Sequence, residues 1–293
     1  KIIEKGKLGP GQIIAIDLKK GKLFKDKAIK DLLAKDYKKY NKQIIDLEKK
    51  ISNENEKPNF TGEDLRKRQY LSGLSIEDLE LILHPMAEEG KEASGSMGDD
   101  TPVAVLSSHF RPVSHYFRQN FSQVTNPPID SLRENKVMSL KTRFGNLGNI
   151  LDFDNLTEET IYVLDSPILT NSQFKKFRKF FSKKTKVIDC TFDISSSLKD
   201  RIEAIRVEAE TSVREGSTCI ILSDKNISNQ KATIPSILVV GAVHSYLVKQ
   251  GLRGYCSLNV ECSDALDTHS FAVLIGVGAT TINPYLAIDS IYQ

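Results

Sequence analysis

Apolar positions in the second half of this chain follow a regular alternation. From about residue 161 onward, short apolar runs at 162–164, 187–192, 219–222 and 256–260 are separated by segments with helical spacing. Alternating strands and helices of this kind favour right-handed β-α-β crossovers, which build a mainly parallel sheet buried on both faces. The pattern therefore predicts an α/β fold.

Three helices of this portion are visible in the pattern. Pro235 is expected to open one that ends near Gly251. A second covers the segment in which Phe174, Phe177 and Phe181 recur among lysines, and we interpret it as a helix that buries its aromatic stripe and keeps its lysines in water. The third is followed by Gly216, and its apolar face consists of Leu198, Ile202, Ile205, Ala209 and Val213.

The first half of the chain is predicted to be helical and irregular. Two extended runs within residues 12–24 indicate a hairpin, and a lysine-rich helix is expected to follow as far as about residue 51. Residues 52–61 are polar and are interpreted as a connector. Ser75, with Asp78 three residues later, is expected to start a further helix that runs to His84, where Pro85 ends or kinks it, and Gly90 closes the next turn.

Residues 100–150 are predicted to hold short elements. Pro112 is expected to start a helix that continues through Phe121. Ser131 and Glu134 are expected to cap another short helix, which runs toward Ser139.

Composition limits the class of protein. Apolar residues make up 40% of the 293 residues and charged residues 27%, which is the range of soluble globular domains. The longest apolar stretch, 234–243, is far shorter than the roughly 18 residues that a membrane-spanning helix needs. No membrane partner is therefore expected. Because the first residue is Lys1, we expect the chain to be an internal domain of a larger multidomain enzyme.

The net charge of +3 is unevenly distributed, since residues 1–57 hold sixteen lysines against nine acidic residues. A lysine-rich helix is more often a solvated face than a nucleic-acid site. We therefore expect no nucleic-acid partner. A nucleic-acid-binding module is kept as an alternative that salt-dependent binding would reveal.

The chain's cysteines do not have the spacing of a disulfide framework, a zinc site or an iron–sulfur site; they are Cys190, Cys219, Cys256 and Cys262. We interpret them as reduced, buried thiols that pack like small apolar residues. Cys256, Cys262 and His269 carry metal-ligating atoms but include no CxxC or His-x-x-His unit, so no metal site is predicted.

Polar residues that follow the predicted strands are the first candidates for chemistry, because ligands of open α/β sheets bind beyond the carboxyl ends of the strands. These residues are Asp193, Ser223, Asp224 and Glu261. They could form an acid/base or metal site, but Asp and Ser are also ordinary loop and cap residues, and the structural interpretation is favoured. The common nucleotide-binding, hydrolase and metalloprotease motifs are absent.

Residues 95–102 form the least ordinary stretch of the chain. Its two glycines permit close backbone approach, and the adjacent Asp99 and Asp100 add negative charge. Such a loop either cradles an anion or a cofactor, or is a turn with an Asp N-cap. Composition alone leaves both interpretations open.

Longer runs of residues resemble one known family, the glutamate synthase large subunit. The runs follow the family's order along nearly the whole chain, and several are too long for chance agreement. In the first half they are 8–12 (LGPGQ), 15–17 (AID), 85–87 (PMA), 90–92 (GKE), 96–102 (SMGDDTP) and 123–130 (QVTNPPID). In the second half they are 166–169 (SPIL), 234–236 (IPS), 241–244 (GAVH), 250–253 (QGLR) and 282–286 (INPYL).

The resemblance implies a place in a larger polypeptide. The family joins a glutamine amidotransferase domain, a central domain, an FMN-binding barrel and a β-helical domain, and it forms two glutamates from glutamine, 2-oxoglutarate and two electrons. Residues 1–51 would be a strap from the end of the amidotransferase domain, and residues 52–293 the central domain. That central domain resembles a reduced FMN barrel, connects the glutaminase and flavin sites and helps to enclose the passage of ammonia.

The resemblance also implies that this fragment holds no catalytic residue and is inactive alone. FMN and a 3Fe–4S cluster belong to the parent enzyme, and the fragment is expected to bind no cofactor. Its partners would be the amidotransferase and FMN-binding domains of the same polypeptide, and the parent would take electrons from ferredoxin or a nicotinamide-dependent partner. The implied compartment is the cytoplasm or the plastid stroma.

The site residues that the resemblance implies lie in two loops. The loop of Ser96, Met97, Gly98 and Asp99 approaches FMN and 2-oxoglutarate in family members. Met97 and Gly98 would supply packing and backbone contacts there, with Asp99 in a supporting role.

The second loop is a weaker candidate for the same interface, through Asn126 and Asp130, and a stiff structural turn explains it equally well. The alternative function for the whole chain is a free-standing α/β enzyme or small-molecule binder that uses Asp224 and Glu261.

Overall fold

A computed structural model describes residues 1–35, 43–52, 55–92, 102, 104–108, 110–119, 124, 126–145 and 160–293. The chain divides into two compact units. The first contains Lys1–Gln43, and the second contains Ile44–Gly148 and Thr160–Gln293.

The first unit contains a small hairpin and a helix. Strand β1 (Ala15–Asp17) pairs antiparallel with β2 (Lys22–Phe24), and helix α1 (Asp26–Ala34) follows. The Asp17 carboxylate accepts hydrogen bonds from the backbone N–H groups of Lys19 and Lys20 at 3.0 and 3.1 Å, which closes the turn. The predicted hairpin is confirmed. Every described residue of this unit is at least partly exposed.

The second unit mixes helices and short strands. In chain order its α-helices and strands are β3 (Gln43–Asp46), α2 (Glu48–Ile51), α3 (Gly62–Leu71), α4 (His84–Glu89), α5 (Ser131–Val137), β4 (Thr142–Gly145), β5 (Thr160–Leu164), α6 (Asn171–Phe180), β6 (Thr185–Asp189), β7 (Thr191–Asp193), α7 (Leu198–Arg214), β8 (Cys219–Ser223), β9 (Lys231–Thr233), α8 (Ser236–Lys249), β10 (Ser257–Glu261), α9 (Thr268–Gly276), β11 (Thr281–Asn283) and α10 (Tyr285–Ile291). A π-helical segment, Asp78–Leu83, leads into α4. None of the helices in these described stretches is long and apolar enough to cross a membrane.

The main sheet has four parallel strands in the order β11-β10-β8-β6. Its register places Asp189, Ser223, Glu261 and Asn283 side by side at the last positions of the four strands. The predicted α/β fold with a mainly parallel sheet is therefore confirmed. The register also fixes which polar side chains share the carboxyl edge.

One face of this sheet is covered by α7 and α8. Ile220, Leu222 and Leu258 of the sheet pack with Ile205 of α7 and Val243 of α8, and all five are at most 1% exposed. Helix α7 begins after Ser197, whose hydroxyl accepts from the N–H of Asp200 at 3.3 Å, and Gly216 follows its end with a φ of +97°. The predicted helices at 198–213 and after Pro235 are confirmed.

The other face carries an aromatic cluster on α6. Phe174, Phe177 and Phe181 are at most 6% exposed, and they pack with Phe144 of β4 and Ile221 of β8. Phe177 and Phe181 have ring centroids 4.9 Å apart. The interpretation of this basic segment as a helix that buries its aromatic stripe is confirmed.

The lysine-rich helix predicted as far as about residue 51 is not continuous, because a strand precedes the short helix α2 (Glu48–Ile51). Residues 43–46 form β3, which lies beside β5 in a three-stranded sheet of order β3-β5-β4. The N–H of Leu47 donates to the carbonyl of Val163 at 2.9 Å, and Leu47 and Ile51 are fully buried against the aromatic cluster. Pairing with β5 outweighs the helix preference of the lysines that surround β3.

Two of the predicted strands differ in their pairing. The run at 162–164 is a strand, β5, but it pairs antiparallel with β4 and lies outside the parallel sheet. The run at 187–192 divides at Cys190 into β6 and β7, and β7 pairs antiparallel with β9. The apolar pattern marks extended segments but does not specify which partner each segment finds.

The short elements of the first half also differ in detail. After Pro112 there is only a 3₁₀ turn, Val113–Tyr116, and the backbone of Phe117 is extended, so the predicted helix is wrong in length. The N-cap of α5 is Asp130, not Ser131, because its carboxylate accepts from the N–H groups of Leu132 and Arg133 at 3.0 Å.

Candidate functional site

The carboxyl edge of the parallel sheet brings together three of the predicted site residues. The Ser223 hydroxyl donates to Glu261 Oε2 at 2.6 Å, and the N–H of Asp224 donates to the Glu261 carbonyl at 3.2 Å. Ser223, Asp224 and Glu261 are at most 7% exposed. The prediction that polar residues after β8 and β10 converge is therefore correct for these three.

Glu261 is held as an ion pair. Its second carboxylate oxygen, Oε1, lies 2.7 Å from Nζ of Lys225, whose side chain is 29% exposed. The ammonium group also lies 5.1 Å from the centroid of the Tyr285 ring. The carbonyl of Lys225 in turn accepts from the Arg68 guanidinium of α3 at 2.9 Å. Both oxygens of the buried carboxylate are satisfied by groups of this chain.

The two carboxyl oxygens of Asp224 have different surroundings. Its Oδ2 accepts from the N–H and the hydroxyl of Ser263 at 2.9 and 2.7 Å, whereas Oδ1 has no hydrogen-bond partner within the described residues. The Tyr285 hydroxyl lies near this carboxyl and likewise makes no hydrogen bond there. Burial and the neighbouring Asp264 raise the pKa of Asp224 to about 7. Burial and the Asp224 charge raise the pKa of Tyr285 above its ordinary value.

A further carboxylate, that of Asp289 on α10, ties other segments to the same end of the sheet. Its Oδ1 accepts from the N–H of Asn59 at 2.8 Å and from the Asn171 amide at 2.7 Å. The Asn171 carbonyl oxygen accepts from the amide of Asn283, the last residue of β11, at 2.9 Å. Burial raises the pKa of Asp289, and the N–H groups of Asn59 and Phe60 oppose that shift.

This network acts chemically as a scaffold. Ser223, Lys225, Asn171 and the Glu261 and Asp289 carboxylates are all engaged with each other or with backbone groups. A general base needs a free lone pair within reach of a substrate proton, and Asp224 Oδ1 has one, but that residue is only 4% exposed. The arrangement locks α3, α10 and the strand ends together.

Asp193, the remaining strand-end candidate, lies elsewhere. It ends β7, which belongs to the two-stranded β7-β9 sheet. Its exposed carboxylate accepts from the N–H and hydroxyl of Ser195 at 2.9 and 2.5 Å, and these hydrogen bonds lower its pKa. The structural interpretation of Asp193 as an ordinary turn residue is correct.

The cysteines are buried free thiols, as interpreted from the sequence. Burial raises the pKa of Cys219 and of Cys256 to about 11 each, so both are protonated at neutral pH. Cys256 and Cys262 flank the five residues of β10, a span of roughly 20 Å at 3.3 Å per residue. They do not converge, and the described residues contain no group of three His, Cys, Asp or Glu side chains that could hold a metal ion. The chain's cysteines therefore do not fit a 3Fe–4S cluster.

Of the loop residues that the resemblance implies, Ser96, Met97, Gly98 and Asp99 lie outside the described residues. Asn126 and Asp130 are described, and both are exposed. Asp130 caps α5 and pairs with the Arg133 guanidinium at 2.6 Å, and these contacts lower its pKa. A structural role for Asp130 is thus established.

Several members of the network were missed from the sequence, among them Lys225, Asp264, Tyr285 and Asp289. Lys225 directly follows Ser223 and Asp224, so its position after β8 was a usable signal. Tyr285 and Asp289 follow β11, a strand of three residues that is too short to stand out as an apolar run. Asp264 binds the N–H of Ser236 at 2.9 Å across 28 residues, and no local pattern indicates such a contact.

Fold and site together define an α/β protein with a four-stranded parallel sheet whose carboxyl edge is closed by internal polar contacts. Comparison with protein families shows which family the chain belongs to. Residues 67–293 match the glutamate synthase central domain, and residues 1–42 match class-II glutamine amidotransferases. The chain belongs to the glutamate synthase central domain family.

Curated relatives agree along the full chain. The sequence is 52% identical over 301 residues to the glutamate synthase [NADPH] large chain of Azospirillum brasilense, covering 100% of this chain and 20% of that protein. It is 36% identical to the chloroplastic ferredoxin-dependent glutamate synthase of Spinacia oleracea, covering 100% of this chain and 18% of that protein. It is 36% identical to the glutamate synthase [NADH] of Schizosaccharomyces pombe, covering 99% and 15% respectively. The chain thus spans a fifth or less of the length of these relatives.

Proposed function

We propose that this chain is the central domain of a glutamate synthase large subunit, preceded by a strap from the end of its amidotransferase domain. The family match at 67–293, with an amidotransferase match at 1–42 before it, carries this proposal. The strap is residues 1–51 and the central domain is residues 52–293. In the parent, glutamine, 2-oxoglutarate and two electrons yield two glutamates.

The domain connects the glutaminase and FMN sites and helps to enclose the ammonia passage between them. Enclosure prevents loss of ammonia to solvent and its protonation there. Its fold is a reduced relative of the FMN barrel, which the parallel β-α-β arrangement supports. FMN and the 3Fe–4S cluster belong to other parts of the parent polypeptide.

The geometry at the strand ends favours this scaffold role over a free-standing enzyme. Glu261, one of the two carboxylates that the alternative requires, is 4% exposed and paired with Lys225 at 2.7 Å. Asp224 is also 4% exposed. A substrate would have to displace these contacts to reach either carboxylate.

Within the parent, the loop of Ser96, Met97, Gly98 and Asp99 approaches FMN and 2-oxoglutarate. Met97 and Gly98 supply packing and backbone contacts there, and Asp99 supports them. Two glycines in residues 95–102 support this assignment, because they allow close backbone approach to a ligand. Asn126 and Asp130 are the weaker candidates for the same interface.

The electron donor is proposed only as a class, because the relatives include NADPH-, NADH- and ferredoxin-dependent enzymes. The parent works in the cytoplasm or in the plastid stroma.

The test is glutamate formation from glutamine and 2-oxoglutarate by the parent polypeptide, supplied in turn with NADPH, NADH and reduced ferredoxin. We expect turnover with one of these donors, and none from the 293-residue chain alone. Turnover by the isolated chain would support the free-standing enzyme instead. A parent that forms no glutamate with any donor contradicts the proposal.

A further inference from the structure

One buried carboxylate binds three separate parts of the second unit. Asp289 of α10 is fully buried. Its Oδ1 accepts from the backbone N–H of Asn59 at 2.8 Å and from the side-chain amide of Asn171 at 2.7 Å. Its Oδ2 accepts from the backbone N–H of Phe60 at 3.2 Å. Asp289 therefore joins α10 to the start of α6 and to the segment that precedes α3.

The segment before α3 depends on side chains for its hydrogen bonds. We call residues 55–60 the entry segment; none of them belongs to a helix or a strand. Backbone N–H groups outside regular elements need acceptors from elsewhere in the molecule. Asp289 supplies an acceptor to two consecutive N–H groups, although it lies 230 positions after Asn59. A carboxylate is a stronger acceptor than a neutral oxygen, so this contact is a firm one.

Other contacts fasten the entry segment to the same helices. The two carboxylate oxygens of Glu56 accept from the N–H of Ser172, in the first turn of α6, at 3.1 and 3.2 Å. The ring of Phe60 packs edge-on against Tyr285 of α10, with centroids 5.9 Å apart. The guanidinium of Arg68 lies 3.7 Å from the centroid of the Phe60 ring. The entry segment is therefore a fixed part of the second unit.

Other carboxylates at this edge of the sheet join elements of the parallel-sheet body to each other. Asp264 accepts from the N–H of Ser236, which begins α8, at 2.9 Å. Glu261 pairs with Lys225, which follows β8, at 2.7 Å. Asp289 differs from them, because it connects the entry segment to α10, the last helix of this chain.

These contacts have a consequence for the proposed parent. There the amidotransferase domain precedes the entry segment, and the FMN-binding barrel follows α10. The entry segment and α10 are thus the two places where the polypeptide enters and leaves the central domain. A passage between two sites stays sealed only while the parts around it keep their relative positions. A contact that joins entry to exit therefore acts on the passage of ammonia.

From these observations we propose that Asp289 is a positioning residue for the coupled reaction. It fixes the entry segment to α10 and thereby holds the glutaminase site in place relative to the flavin site. The proposal rests on the proposed function, because it takes the chain to be part of a glutamate synthase. It adds the side chain on which the coupling of the two reactions depends.

The first measurement is amide hydrogen exchange of residues 59 and 60 in the 293-residue chain. We expect exchange to be about tenfold faster or more in Asp289→Ala, because losing a hydrogen bond to a charged group changes an equilibrium constant by that order. Asp289→Asn should lie between, since its carbonyl can keep both bonds of Oδ1 but its amide cannot accept from Phe60. Helix α7 is the internal reference. Unchanged exchange at residues 59 and 60 overturns the proposal.

The second measurement is the ratio of glutamine hydrolysed to 2-oxoglutarate converted by the parent polypeptide. Full coupling gives a ratio of one, because every ammonia released is used. We expect the ratio to rise above one in Asp289→Ala, and to rise less in Asp289→Asn. If Asp289→Ala does not fold, Asp289→Asn carries both measurements. A ratio of one in a folded variant whose entry segment exchanges faster overturns the positioning role.

The matched control is Asp264→Ala, which also removes a carboxylate that binds a distant backbone N–H, here at the start of α8. A general loss of stability lowers both rates together, so the ratio should stay at one in this variant. An equal rise of the ratio in Asp264→Ala overturns the specific role of Asp289.

Glutamate formation by the wild-type parent separates this proposal from the proposed function. A parent that forms no glutamate with any donor refutes the proposed function, and the coupling role with it. An active parent whose ratio stays at one in the Asp289 variants refutes the positioning role and leaves the proposed function intact.

Discussion

Replacing Asp224 by asparagine should change the free energy of unfolding relative to wild type. This difference should favour the variant more at pH 8 than at pH 5. Asparagine has the same shape, and its carbonyl oxygen can keep both hydrogen bonds from Ser263. Its amide can also donate toward the Tyr285 hydroxyl, which has no partner in the described chain. The variant therefore removes a buried ionisable group without removing its contacts.

The direction of this pH dependence follows from the raised pKa of Asp224. The folded state holds the proton of this group up to about pH 7, whereas the unfolded state releases it near pH 3.9. The stability that the bound proton contributes is fully present below about pH 4 and is lost as the pH rises through 7. One pKa unit corresponds to about 1.4 kcal/mol, so wild type loses roughly 2–3 kcal/mol from this group between pH 5 and 8. The asparagine side chain does not titrate, so the variant escapes this loss.

The assay is urea unfolding of both proteins at pH 5 and pH 8, followed by far-UV circular dichroism. Titrating groups that do not interact with Asp224 are common to both proteins and cancel in the difference between their free energies of unfolding. The control is Asp193→Asn, since Asp193 is exposed and its pKa is lowered, so its effect should not change between these pH values. If the free energies of unfolding of Asp224→Asn and wild type differ by the same amount at pH 5 and pH 8, the inference that the buried Asp224 carboxyl holds its proton is refuted.

Two further substitutions test the packing of the second unit. Gly278→Ala should destabilise the chain by about 2 kcal/mol or more, because Gly278 has a φ of +120° and an added Cβ would lie 2.4 Å from the His244 ring. Gly254→Ala, which meets nothing within 4 Å, should be nearly neutral in the same urea titration. Phe177→Ala should cost about 3–5 kcal/mol, because Phe177 is fully buried in the aromatic cluster. Phe180→Ala, at a ring that is 42% exposed, should cost clearly less, and equal losses would contradict the packing described for α6.

The parts of the fold that could be predicted from the sequence are those with a local physical cause. Helix α7 shows its apolar face at helical spacing, with Gly216 at its end, and the buried stripe of α6 is visible as phenylalanines among lysines. The parallel sheet follows from apolar runs separated by these helices. Each helix signal lies within the bounds of one element.

The parts that could not be predicted depend on distant partners. The segment at 43–46 is a strand because it pairs with β5, more than a hundred positions away, and the surrounding lysines conceal that pairing. Strand β5 pairs with β4, not with the parallel sheet, although its composition suits either partner. Asp224 and Glu261 were found at the strand ends, but the proximity of Tyr285 depends on how α10 packs.

The most direct measurement on the proposed role is nitrogen transfer in the parent polypeptide. Glutamine labelled with ¹⁵N in its side-chain amide is supplied with 2-oxoglutarate, a working electron donor and an excess of unlabelled ammonium. If the central domain helps to enclose the ammonia passage, the glutamate newly formed from 2-oxoglutarate carries ¹⁵N despite the unlabelled ammonium. New glutamate that is mostly unlabelled would show that the ammonia mixes with solvent, and would contradict the role proposed for this domain.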